Sequence, residues 1–549
     1  MTKKTKLELT WPGKEDRPRL EPRILIEDPA KSHHAAVRRD GDRFDNMLIK
    51  GDNLLALKAL EPDYAGKVKC VFIDPPYNTG SAFEHYDDGV EHSIWLSLMR
   101  DRLEIIHRLL APDGSLWVTL DDNEAHYFKV MCDEVFGRQN YITSAIWQKV
   151  FSPKNSARHL SEDHDYVLIY AKNSDVWRPN KMPRSERQAA TYKNPDNDDR
   201  GAWTSGDLSA RNFYGAGTYP ITTPNGRIIA GPPNGMYWRV SKLKLQEMDG
   251  DNRIWWGKDG GNSPRIKRFL SEVSEGVVPQ TLWLHGDVGN TQEAKKEVVA
   301  LFGAENFLTP KPERLLQRIL ALATNPDDLV IDSFAGSGTT GAVAHKMRRK
   351  WVMVEIGDHA ETHIVPRLRK VIDGTDQGGI SKTVDWQGGG GFRYLTLAPS
   401  LLARDHWGNL VIAADYNPAM LAEAMCKHLG FTYAPATDEL RWWQHGRSSE
   451  TDFIYVTTQS LTHDALKLVS EAVGPGRTLM ICARAFAGAA DVFDNLTCRK
   501  IPSTILTKCE WGRDDYSLNV AALPEVAPDA EAERDEGPLF AAPVETDRG

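Results

Sequence analysis

The amino-acid sequence predicts an α/β protein organised around a doubly wound parallel sheet. Apolar segments of strand length alternate with segments of helical periodicity over residues 46–171, and the alternation returns between residues 311 and 356. One predicted strand ends at the sequence "DPPY", and another runs into the glycine-rich sequence "AGSGTTG". Ligands of open α/β sheets bind at the carboxyl ends of the strands, so these two segments are the candidate functional site.

The first half of the predicted sheet lies within residues 46–171. "NMLIK" has the composition of a strand, and it leads through a turn at Gly51 and Asp52 into the helical segment "NLLALKAL". "KVKCVFI" predicts a second strand, "SIWLSLMRDRLEIIHRLLAPDG" a long helix with a Pro/Gly stop, and "SLWVTL" a third strand. "NYITSAIWQKV" and "HDYVLIYAK" predict two further strands.

Residues 172–275 interrupt this alternation, because Gly, Pro, Asn and Asp break every apolar run. The segment has 17 Lys and Arg against 12 Asp and Glu, in a chain whose net charge is −9. Basic residues interleaved with aromatic rings suit nucleic-acid binding, although the same composition fits a solvated insertion with a small aromatic core. The aromatic residues are Trp177, Tyr192, Trp203, Phe213, Tyr214, Tyr219, Tyr237, Trp238, Trp255 and Trp256.

The alternation resumes over residues 276–375. "KPERLLQRILALAT" predicts a helix, "LVID" a strand that enters the next helix through glycines, and "WVMVEIG" another strand. The glycine-rich sequence "DWQGGGGFRYL" predicts a flexible linker at residues 376–392. Residues 393–523 then predict a smaller α/β or α+β module, and residues 524–549 a disordered acidic tail. Residues 1–45 form a polar N-terminal extension punctuated by prolines.

Composition narrows the class of protein. The negative net charge argues against a uniformly basic nucleic-acid coat, although it leaves room for local basic patches. No apolar run approaches the roughly 18 residues of a membrane span, and the first residues lack the apolar core of a signal peptide, so we expect a cytoplasmic protein. Neither a disulfide framework nor a metal site is predicted, because no CxxC pair or neighbouring His cluster occurs among the cysteines. These are Cys70, Cys132, Cys426, Cys482, Cys498 and Cys509.

The glycine-rich loop is the first candidate site. Gly336, Gly338 and Gly341 have the spacing GxGxxG between a predicted strand and a helix, which permits a tight turn and brings backbone N–H groups close to a cofactor. Glu355 ends the next predicted strand, where its carboxylate can accept hydrogen bonds from two ribose hydroxyls. This pattern alone also fits a nicotinamide-dependent oxidoreductase. It lacks the Lys-Ser/Thr of a nucleotide-hydrolysing P-loop.

The "DPPY" segment is the second candidate site, and it favours methyl transfer. The exocyclic amine of a nucleobase is a poor nucleophile because its lone pair is delocalised into the ring. Asp74 and the rigid carbonyl of Pro75 can each accept one N–H bond, which holds the amine nitrogen near tetrahedral geometry. Tyr77 can stack on a base that has left the duplex. The alternative interpretation is a turn that merely ends a strand.

Seven segments of the chain resemble the β-class DNA amino-methyltransferases, and most closely the Mod, or modification, subunits of type III restriction-modification systems. The segments are, in order, "LTWPGKEDRPRLEPRILIEDP", "IKGDNLLALKAL", "VFIDPPYNTG", "LWVTLDDNE", "HDYVLIYAK", "TPKPERLLQRIL" and "DSFAGSGTT". The resemblance implies a circularly permuted, Rossmann-like sheet of seven strands with S-adenosylmethionine as methyl donor. Residues 46–171 would be its catalytic half, residues 172–275 the target-recognition region, and residues 276–375 the cofactor-binding half.

The resemblance also implies roles for individual residues. Asp74, Pro75, Pro76 and Tyr77 match the catalytic motif. Thr309 and Lys311 lie where the family contacts the methionine moiety of the cofactor, and Asp52 where it meets the adenine ring. The remaining predicted cofactor-binding residues are Asp332, Phe334, Gly336, Gly338 and Glu355.

The leading hypothesis is therefore a site-specific DNA methyltransferase that methylates the N6 amine of adenine in double-stranded DNA by base flipping. The aspartate form of the tetrapeptide points to adenine, and cytosine-N4 methylation is the first alternative. An oxidoreductase and a non-catalytic DNA-recognition subunit are less favoured alternatives, and cytosine-C5 methylation is excluded because the chain has no Pro-Cys dipeptide. The resemblance implies a homodimer and a helicase-nuclease (Res-like) partner that the C-terminal module helps to hold, although this module fits a stabilising lobe nearly as well.

Overall fold

The computed structural model describes residues 8–77, 88–184, 186–273, 276–303, 310–487 and 492–517. The chain divides into two compact units, Met1–Pro179 together with Gln280–Gly549, and Asn180–Pro279. Among the helices of these described ranges, none combines the length and the apolar character that crossing a membrane requires.

The first part of the larger unit supplies seven strands to one sheet. The helices between them are α1 (Asn53–Tyr64), α2 (Asp88–Leu109) and α3 (Ala125–Cys132). The strands are β1 (Leu25–Glu27), β2 (His33–His34), β3 (Asn46–Lys50), β4 (Val68–Ile73), β5 (Leu110–Leu120), β6 (Tyr141–Gln148) and β7 (His164–Ala171). The strand β5 begins directly after α2, so the segment "APDG" belongs to a strand and not to the predicted helix stop.

The smaller unit, Asn180–Pro279, is built from short elements. Its helices are α4 (Glu186–Ala189) and α5 (Lys242–Gly250). Its strands are β8 (Trp203–Asp207), β9 (Ser209–Ala210), β10 (Ile221–Thr222), β11 (Ile228–Ile229), β12 (Tyr237–Trp238), β13 (Ile254–Trp255) and β14 (Arg265–Phe269). The strands β13, β14 and β8 form an antiparallel sheet.

Several of the aromatic residues predicted as stacking surfaces form the core of this smaller unit. Trp203, Trp238 and Trp256 are buried, and their packing stabilises the unit. Phe213 is 80% exposed and Tyr214 is 41% exposed, so their rings remain accessible. The target-recognition role of the region stays a prediction.

Part of the basic charge of the smaller unit is also neutralised within it. The ammonium of Lys267 is fully buried and pairs with Asp196 and Asp198. Arg253 pairs with Asp251 and Glu272. These ion pairs are structural, so the charges of Lys267 and Arg253 are not available to a nucleic acid.

The chain then returns to the larger unit and completes the sheet. Its helices here are α6 (His285–Val288), α7 (Thr291–Phe302), α8 (Glu313–Ala323), α9 (Thr339–Lys346) and α10 (Val365–Ile372). Its strands are β15 (Leu282–Trp283), β16 (Leu329–Asp332), β17 (Lys350–Glu355) and β18 (Gly391–Leu397). The strand order is β1-β18-β3-β17-β16-β4-β5-β7-β6-β15, and β2 pairs with β18.

This arrangement confirms the predicted fold class. The strands from β18 to β5 are parallel, whereas β7 runs antiparallel to both β5 and β6. The chain winds outward in opposite directions from the neighbouring strands β4 and β16, so a crevice opens at their carboxyl ends. The eleven strands of the sheet in the described residues exceed the seven that the resemblance implies, because β1, β2, β18 and β15 extend its two edges.

The glycines before β18 differ from the predicted flexible linker at residues 376–392. Gly389 and Gly390 have φ values of +122° and +75°, and a Cβ added to Gly389 would lie 2.5 Å from an oxygen of Asp42. Arg39 Nη1 donates to the carbonyl of Gly388 at 2.6 Å. The glycines therefore permit close approach to the N-terminal extension, and the chain leads directly into a strand of the main sheet.

The C-terminal region forms its own sheet but shares packing with the main one. Its helices are α11 (Pro418–Leu429) and α12 (His463–Val473). Its strands are β19 (Leu402–Arg404), β20 (Leu410–Ile412), β21 (Thr432–Tyr433), β22 (Gly446–Arg447), β23 (Asp452–Val456), β24 (Ser460–Leu461), β25 (Thr478–Ala483), β26 (Ala485–Phe486) and β27 (Leu496–Lys500). A five-stranded sheet has the order β21-β22-β23-β25-β27, with the last three strands parallel.

The predicted start of the C-terminal module at residue 393 falls inside β18. This strand pairs with β3 on one side and with β1 on the other. Ile24 of the N-terminal extension also lies in the same apolar cluster as α11 and β23. The predicted tail, residues 524–549, lies outside the described residues.

Candidate active site

A cavity of about 530 Å³ lies at the carboxyl ends of β4 and β16. It is lined by ten of the predicted site residues, namely Asp52, Asp74, Pro75, Pro76, Tyr77, Lys311, Asp332, Phe334, Gly336 and Glu355. Gly338 follows in the same loop, one residue before α9. Thr309 lies outside the described residues. The roles predicted for these residues remain predictions, but the sheet brings together segments that are far apart in sequence.

Asp74 is held by two partners directly after β4. Its Oδ1 accepts a hydrogen bond of 2.6 Å from the hydroxyl of Thr119, which lies in β5. Its Oδ2 lies 2.5 Å from Nζ of Lys311, which enters the cavity from the segment before α8. Each carboxylate oxygen has two acceptor positions, so both oxygens keep capacity for a further donor.

The turn that follows Asp74 is anchored by a buried tryptophan. Nε1 of Trp95 in α2 donates a 2.8 Å hydrogen bond to the carbonyl of Pro76. Trp95 is fully buried in the main apolar core. This contact and the fixed φ angles of the two prolines hold the turn in one conformation.

Tyr77 is connected to two residues that the sequence analysis did not single out. Its hydroxyl donates to Oδ2 of Asp165 at 3.2 Å, and Oδ1 of Asp165 accepts from Nζ of Lys149 at 2.5 Å. Burial raises the pKa of the Tyr77 hydroxyl well above its usual value, and the charges of Asp74 and Asp165 add to this effect. The phenol therefore stays protonated and serves as a donor.

The glycine-rich loop is closed by the carboxylate of Glu355. Its Oε2 accepts from the backbone N–H of Gly336 at 2.8 Å, and its Oε1 accepts from the N–H of Gly357 at 2.8 Å. Nε2 of His359 also lies 2.9 Å from Oε1. Gly338 has a φ of +74°, and a Cβ at this position would lie 2.9 Å from Ile364, so glycine is required there.

Asp332 is buried at the end of β16, beneath the loop. Its two carboxylate oxygens accept from the N–H of Phe334 at 2.9 Å and from the hydroxyl of Thr340 at 2.5 Å. Burial raises the pKa of Asp332 to about 7, against these two hydrogen bonds and with help from the negative charges of Asp74 and Glu355. Asp332 thus holds the glycine-rich loop through hydrogen bonds to Phe334 and Thr340.

A buried cluster of charged side chains contacts the helix that follows the glycine-rich loop. Arg367 donates to the hydroxyl of Thr339 at 2.8 Å and to Oε1 of Glu313 at 2.9 Å. Lys346 bonds to the same carboxylate at 2.8 Å and pairs with Asp376 at 2.7 Å. The cluster joins the start of α8 to the start of α9, and so fixes Lys311 relative to the glycine-rich loop.

Asp52 lines the cavity, but its carboxylate is engaged by the protein. Its Oδ1 accepts from the N–H groups of Leu54 and Leu55 and thereby caps α1. Its Oδ2 accepts from the N–H of Tyr516 at 2.9 Å and from Nη2 of Arg102 at 3.5 Å. The structure thus gives Asp52 a capping role that the sequence analysis did not predict.

Sequence reasoning missed Thr119, Lys149, Asp165 and Tyr516. Asp165 lies in "HDYVLIYAK" and Thr119 in "LWVTLDDNE", so both stood in segments that carried the resemblance. A polar residue in an otherwise apolar strand was the available signal for each of them. Tyr516 had no such signal, because its contact with the site depends on the path of the C-terminal region.

The model of the family described as DNA methylase matches residues 68–365, which is more than half of the chain. The chain belongs to the DNA methylase family. It is 33% identical over 326 residues to the type III restriction-modification enzyme StyLTI Mod subunit of Salmonella typhimurium. The matched region covers 54% of this chain and 49% of that protein. It is 29% identical over 399 residues to the EcoPI Mod subunit of Escherichia phage P1, which covers 61% of this chain and 60% of that protein.

The type II methyltransferase M.EcaI of Enterobacter cloacae is also similar to this chain. The two are 30% identical over 331 residues, which covers 59% of this chain and 69% of that enzyme. The chain spans about half the length of the first of the Mod subunits it matches.

Proposed function

We propose that this chain is an S-adenosylmethionine-dependent methyltransferase that transfers a methyl group to the N6 amine of adenine in double-stranded DNA. We further propose that it acts in the cytoplasm as the modification subunit of a restriction-modification system. The observation that carries the proposal is that Asp74 and Glu355, from the two predicted motifs, line one cavity at the switch point of the sheet. Membership of the DNA methylase family favours methyl transfer over an oxidoreductase.

The residues around the cavity fit the proposed cofactor. The glycine-rich loop and Glu355 line the cavity, and a carboxylate at this place suits a ligand with ribose hydroxyls. Within the described part of the chain, the hydroxyl of Ser333 is buried without a hydrogen-bond partner, and this residue also lines the cavity. Phe334 adds an apolar ring. Bound there, S-adenosylmethionine supplies an electrophilic methyl group.

Asp74 and Pro75 prepare the target amine. One amine hydrogen bonds to the carboxylate of Asp74 and the other to the carbonyl of Pro75, which directs the nitrogen lone pair away from the plane of the base. Thr119 and Lys311 hold the carboxylate so that it does not reorient during the reaction. The ammonium of Lys311 also pairs with this partly buried carboxylate.

Tyr77 holds the flipped base by stacking against its ring. The ring is partly buried and packs on the apolar core, so it has little freedom to rotate. Its hydroxyl bond to Asp165 fixes the direction of the ring plane. A base that leaves the duplex loses its stacking neighbours, and the tyrosine replaces one of them.

Long-read sequencing that detects modified bases tests the proposed activity. DNA from cells that express the wild-type chain should carry N6-methyladenine at one short sequence motif, and DNA from cells that express Asp74→Ala should not. Methylation at cytosine N4 would support the alternative substrate. DNA without a modified motif, from cells with soluble wild-type protein, would contradict the proposal.

We also propose a homodimer and a helicase-nuclease partner, because relatives of the chain are named as Mod subunits of type III enzymes. Deletion of the C-terminal region from residue 392 is unsuited to testing the partner, since it removes β18 from the main sheet. Light scattering of the full chain tests the dimer. Co-purification of the full chain with a nuclease encoded beside it tests the partner, and a monomeric chain that retains no nuclease would contradict both proposals.

A further inference from the structure

We infer that the segment 514–517, named here the C-terminal strap, forms a wall of the cofactor-binding site. The inference rests on the proposed function and concerns which residues of this chain complete that site. Ser517 lines the same cavity as Asp74 and Glu355, although it follows the C-terminal sheet in sequence. The C-terminal region thus contributes to the site itself.

The strap is attached to the cavity wall through its backbone. The N–H of Tyr516 donates to Oδ2 of Asp52 at 2.9 Å, and the carbonyl of Tyr516 accepts from Nη2 of Arg102 at 3.2 Å. Both Asp52 and Arg102 are almost completely buried. The ring of Tyr516 is 7% exposed and belongs to the main apolar core, so the strap is packed as well as hydrogen-bonded.

A second buried arginine holds the strap at its beginning. Nη2 of Arg23 donates to the carbonyl of Arg513 at 3.1 Å and pairs with Asp514 at 2.6 Å. Nη1 of the same guanidinium donates to the carbonyl of Ala398 at 2.9 Å, just after β18. Arg23 is 2% exposed. Contacts on both sides therefore fix the position of the strap.

The strap is connected to the glycine-rich loop by a chain of polar contacts. Nε of Arg102 donates to Oδ1 of Asn53 at 2.5 Å, and Nδ2 of Asn53 donates to the carbonyl of Ser333 at 2.7 Å. Ser333 directly precedes Phe334 in the loop. Loss of the strap would leave Arg102 without one of its acceptors and would loosen this connection.

These contacts indicate a role for Asp52 other than the contact with the adenine ring that the resemblance implies. A carboxylate has about four acceptor positions, and four donors already occupy those of Asp52, namely the N–H groups of Leu54, Leu55 and Tyr516 and the guanidinium of Arg102. Asp52 is therefore a positioning residue that holds the strap. The strap, through Ser517, is the part of this wall that faces the ligand.

Two truncations that differ by four residues test the inference. A chain ending after Arg513 lacks the strap, and a chain ending after Ser517 keeps it but lacks residues 518–549. Titration calorimetry with S-adenosylmethionine should show wild-type affinity for the longer chain and at least tenfold weaker binding for the shorter one. Equal affinity of the two truncated chains would overturn the inference.

A point substitution keeps the test decisive if the shorter chain does not fold. Ser517→Trp should fill the edge of the cavity and weaken cofactor binding tenfold or more, with an unchanged melting temperature. Ser503→Trp introduces the same ring at an exposed position of the C-terminal region and should bind like wild type. Wild-type affinity of Ser517→Trp would overturn the inference. Failure of the full wild-type chain to bind S-adenosylmethionine would instead contradict the proposed function.

Discussion

Lys311 Nζ lies 2.5 Å from Oδ2 of Asp74 and 5.1 Å from the centre of the Tyr77 ring. One ammonium group thus contacts both residues that are proposed to receive the target base. The resemblance assigned Lys311 to the methionine moiety of the cofactor, whereas the structure pairs it with the carboxylate of Asp74. A lysine that contacts the methionine moiety would control the affinity for the cofactor. A lysine that acts on Asp74 would control the rate of methyl transfer.

Lys311→Met removes this charge and keeps an unbranched side chain that is one atom shorter. Because a charged hydrogen bond to Asp74 is lost, we expect the single-turnover methylation rate at saturating cofactor to fall roughly tenfold to a hundredfold. Asp74→Asn combined with Lys311→Met should cost less than the product of the single effects, since the two residues act as a unit. An effect confined to cofactor affinity would instead support the methionine assignment.

Tyr77→Phe tests the hydroxyl separately from the ring. The ring stack should remain, but Asp165 loses a donor, so we expect a loss of about 0.5–1.5 kcal/mol in transition-state stabilisation. Tyr77→Ala should lose roughly 1–3 kcal/mol more, because the stacking surface is gone. Base flipping can be followed by the fluorescence of 2-aminopurine at the target position.

Asp165→Ala is the matched control for Tyr77→Phe. It removes the acceptor of the Tyr77 hydroxyl and leaves the Tyr77 ring in place, so its effect should resemble that of Tyr77→Phe and add little to it in the double variant. Full additivity of the two substitutions would show that Asp165 does not act through the tyrosine.

Glu355→Gln tests the proposed ribose contact. The change removes the negative charge that closes the glycine-rich loop, and we expect the dissociation constant for S-adenosylmethionine to rise by the equivalent of about 1–3 kcal/mol. DNA affinity should be almost unchanged. His359→Ala removes a partner of the carboxylate but leaves the carboxylate itself, so a smaller loss is expected. Calorimetry with each ligand measures both effects, and an unchanged cofactor affinity of Glu355→Gln would place the ribose elsewhere.

The sequence was sufficient to predict the sheet and the two motifs, because strand and helix periodicities and the DPPY turn are local signals. Gly338 illustrates this, since the GxGxxG spacing predicts a tight turn and Gly338 has a φ of +74° in the structure. The role of the segment before Phe392 was not predictable in this way. Its glycines indicated flexibility, whereas the structure uses them for close approach to residues 39–43, which are more than 300 positions away.

The contacts of the site that depend on distant parts of the chain were also beyond sequence reasoning. Nothing near Tyr516 indicates that its N–H reaches Asp52, because the contact forms only when the C-terminal region packs on β18 and β1. The pairing of Lys311 with Asp74 likewise depends on the position of α8. A local signal pointed to Asp74 and the family resemblance to Lys311, but the tertiary fold decided that these two residues are partners.

The buried carboxyl group of Asp332 predicts a pH dependence of stability. Burial raises its pKa to about 7 in the folded protein, from an ordinary value of 3.8. The folded state therefore binds the proton more tightly than the unfolded state, so this group favours folding at acid pH and its contribution is lost as the pH rises from about 4 through about 7. Each unit of such a shift corresponds to about 1.4 kcal/mol, so the loss is on the order of a few kcal/mol.

Asp332→Asn should remove this dependence, because an amide stays neutral at every pH in the range. The free energy of unfolding of the cofactor-free protein, measured with urea at pH 5 and at pH 8, should fall less with pH in the variant than in the wild type. The variant pays a separate, pH-independent cost, since its amide cannot accept from both the N–H of Phe334 and the hydroxyl of Thr340 as the carboxylate does. Burial and the charge of Glu313 raise the pKa of Glu297 to about 7. Glu297→Gln should therefore remove the contribution of Glu297 to the pH dependence of the unfolding free energy and leave the contribution of Asp332 unchanged. Parallel pH curves for wild type and Asp332→Asn would show that Asp332 is ionised throughout and that the hydrogen bonds from Phe334 and Thr340 outweigh its burial.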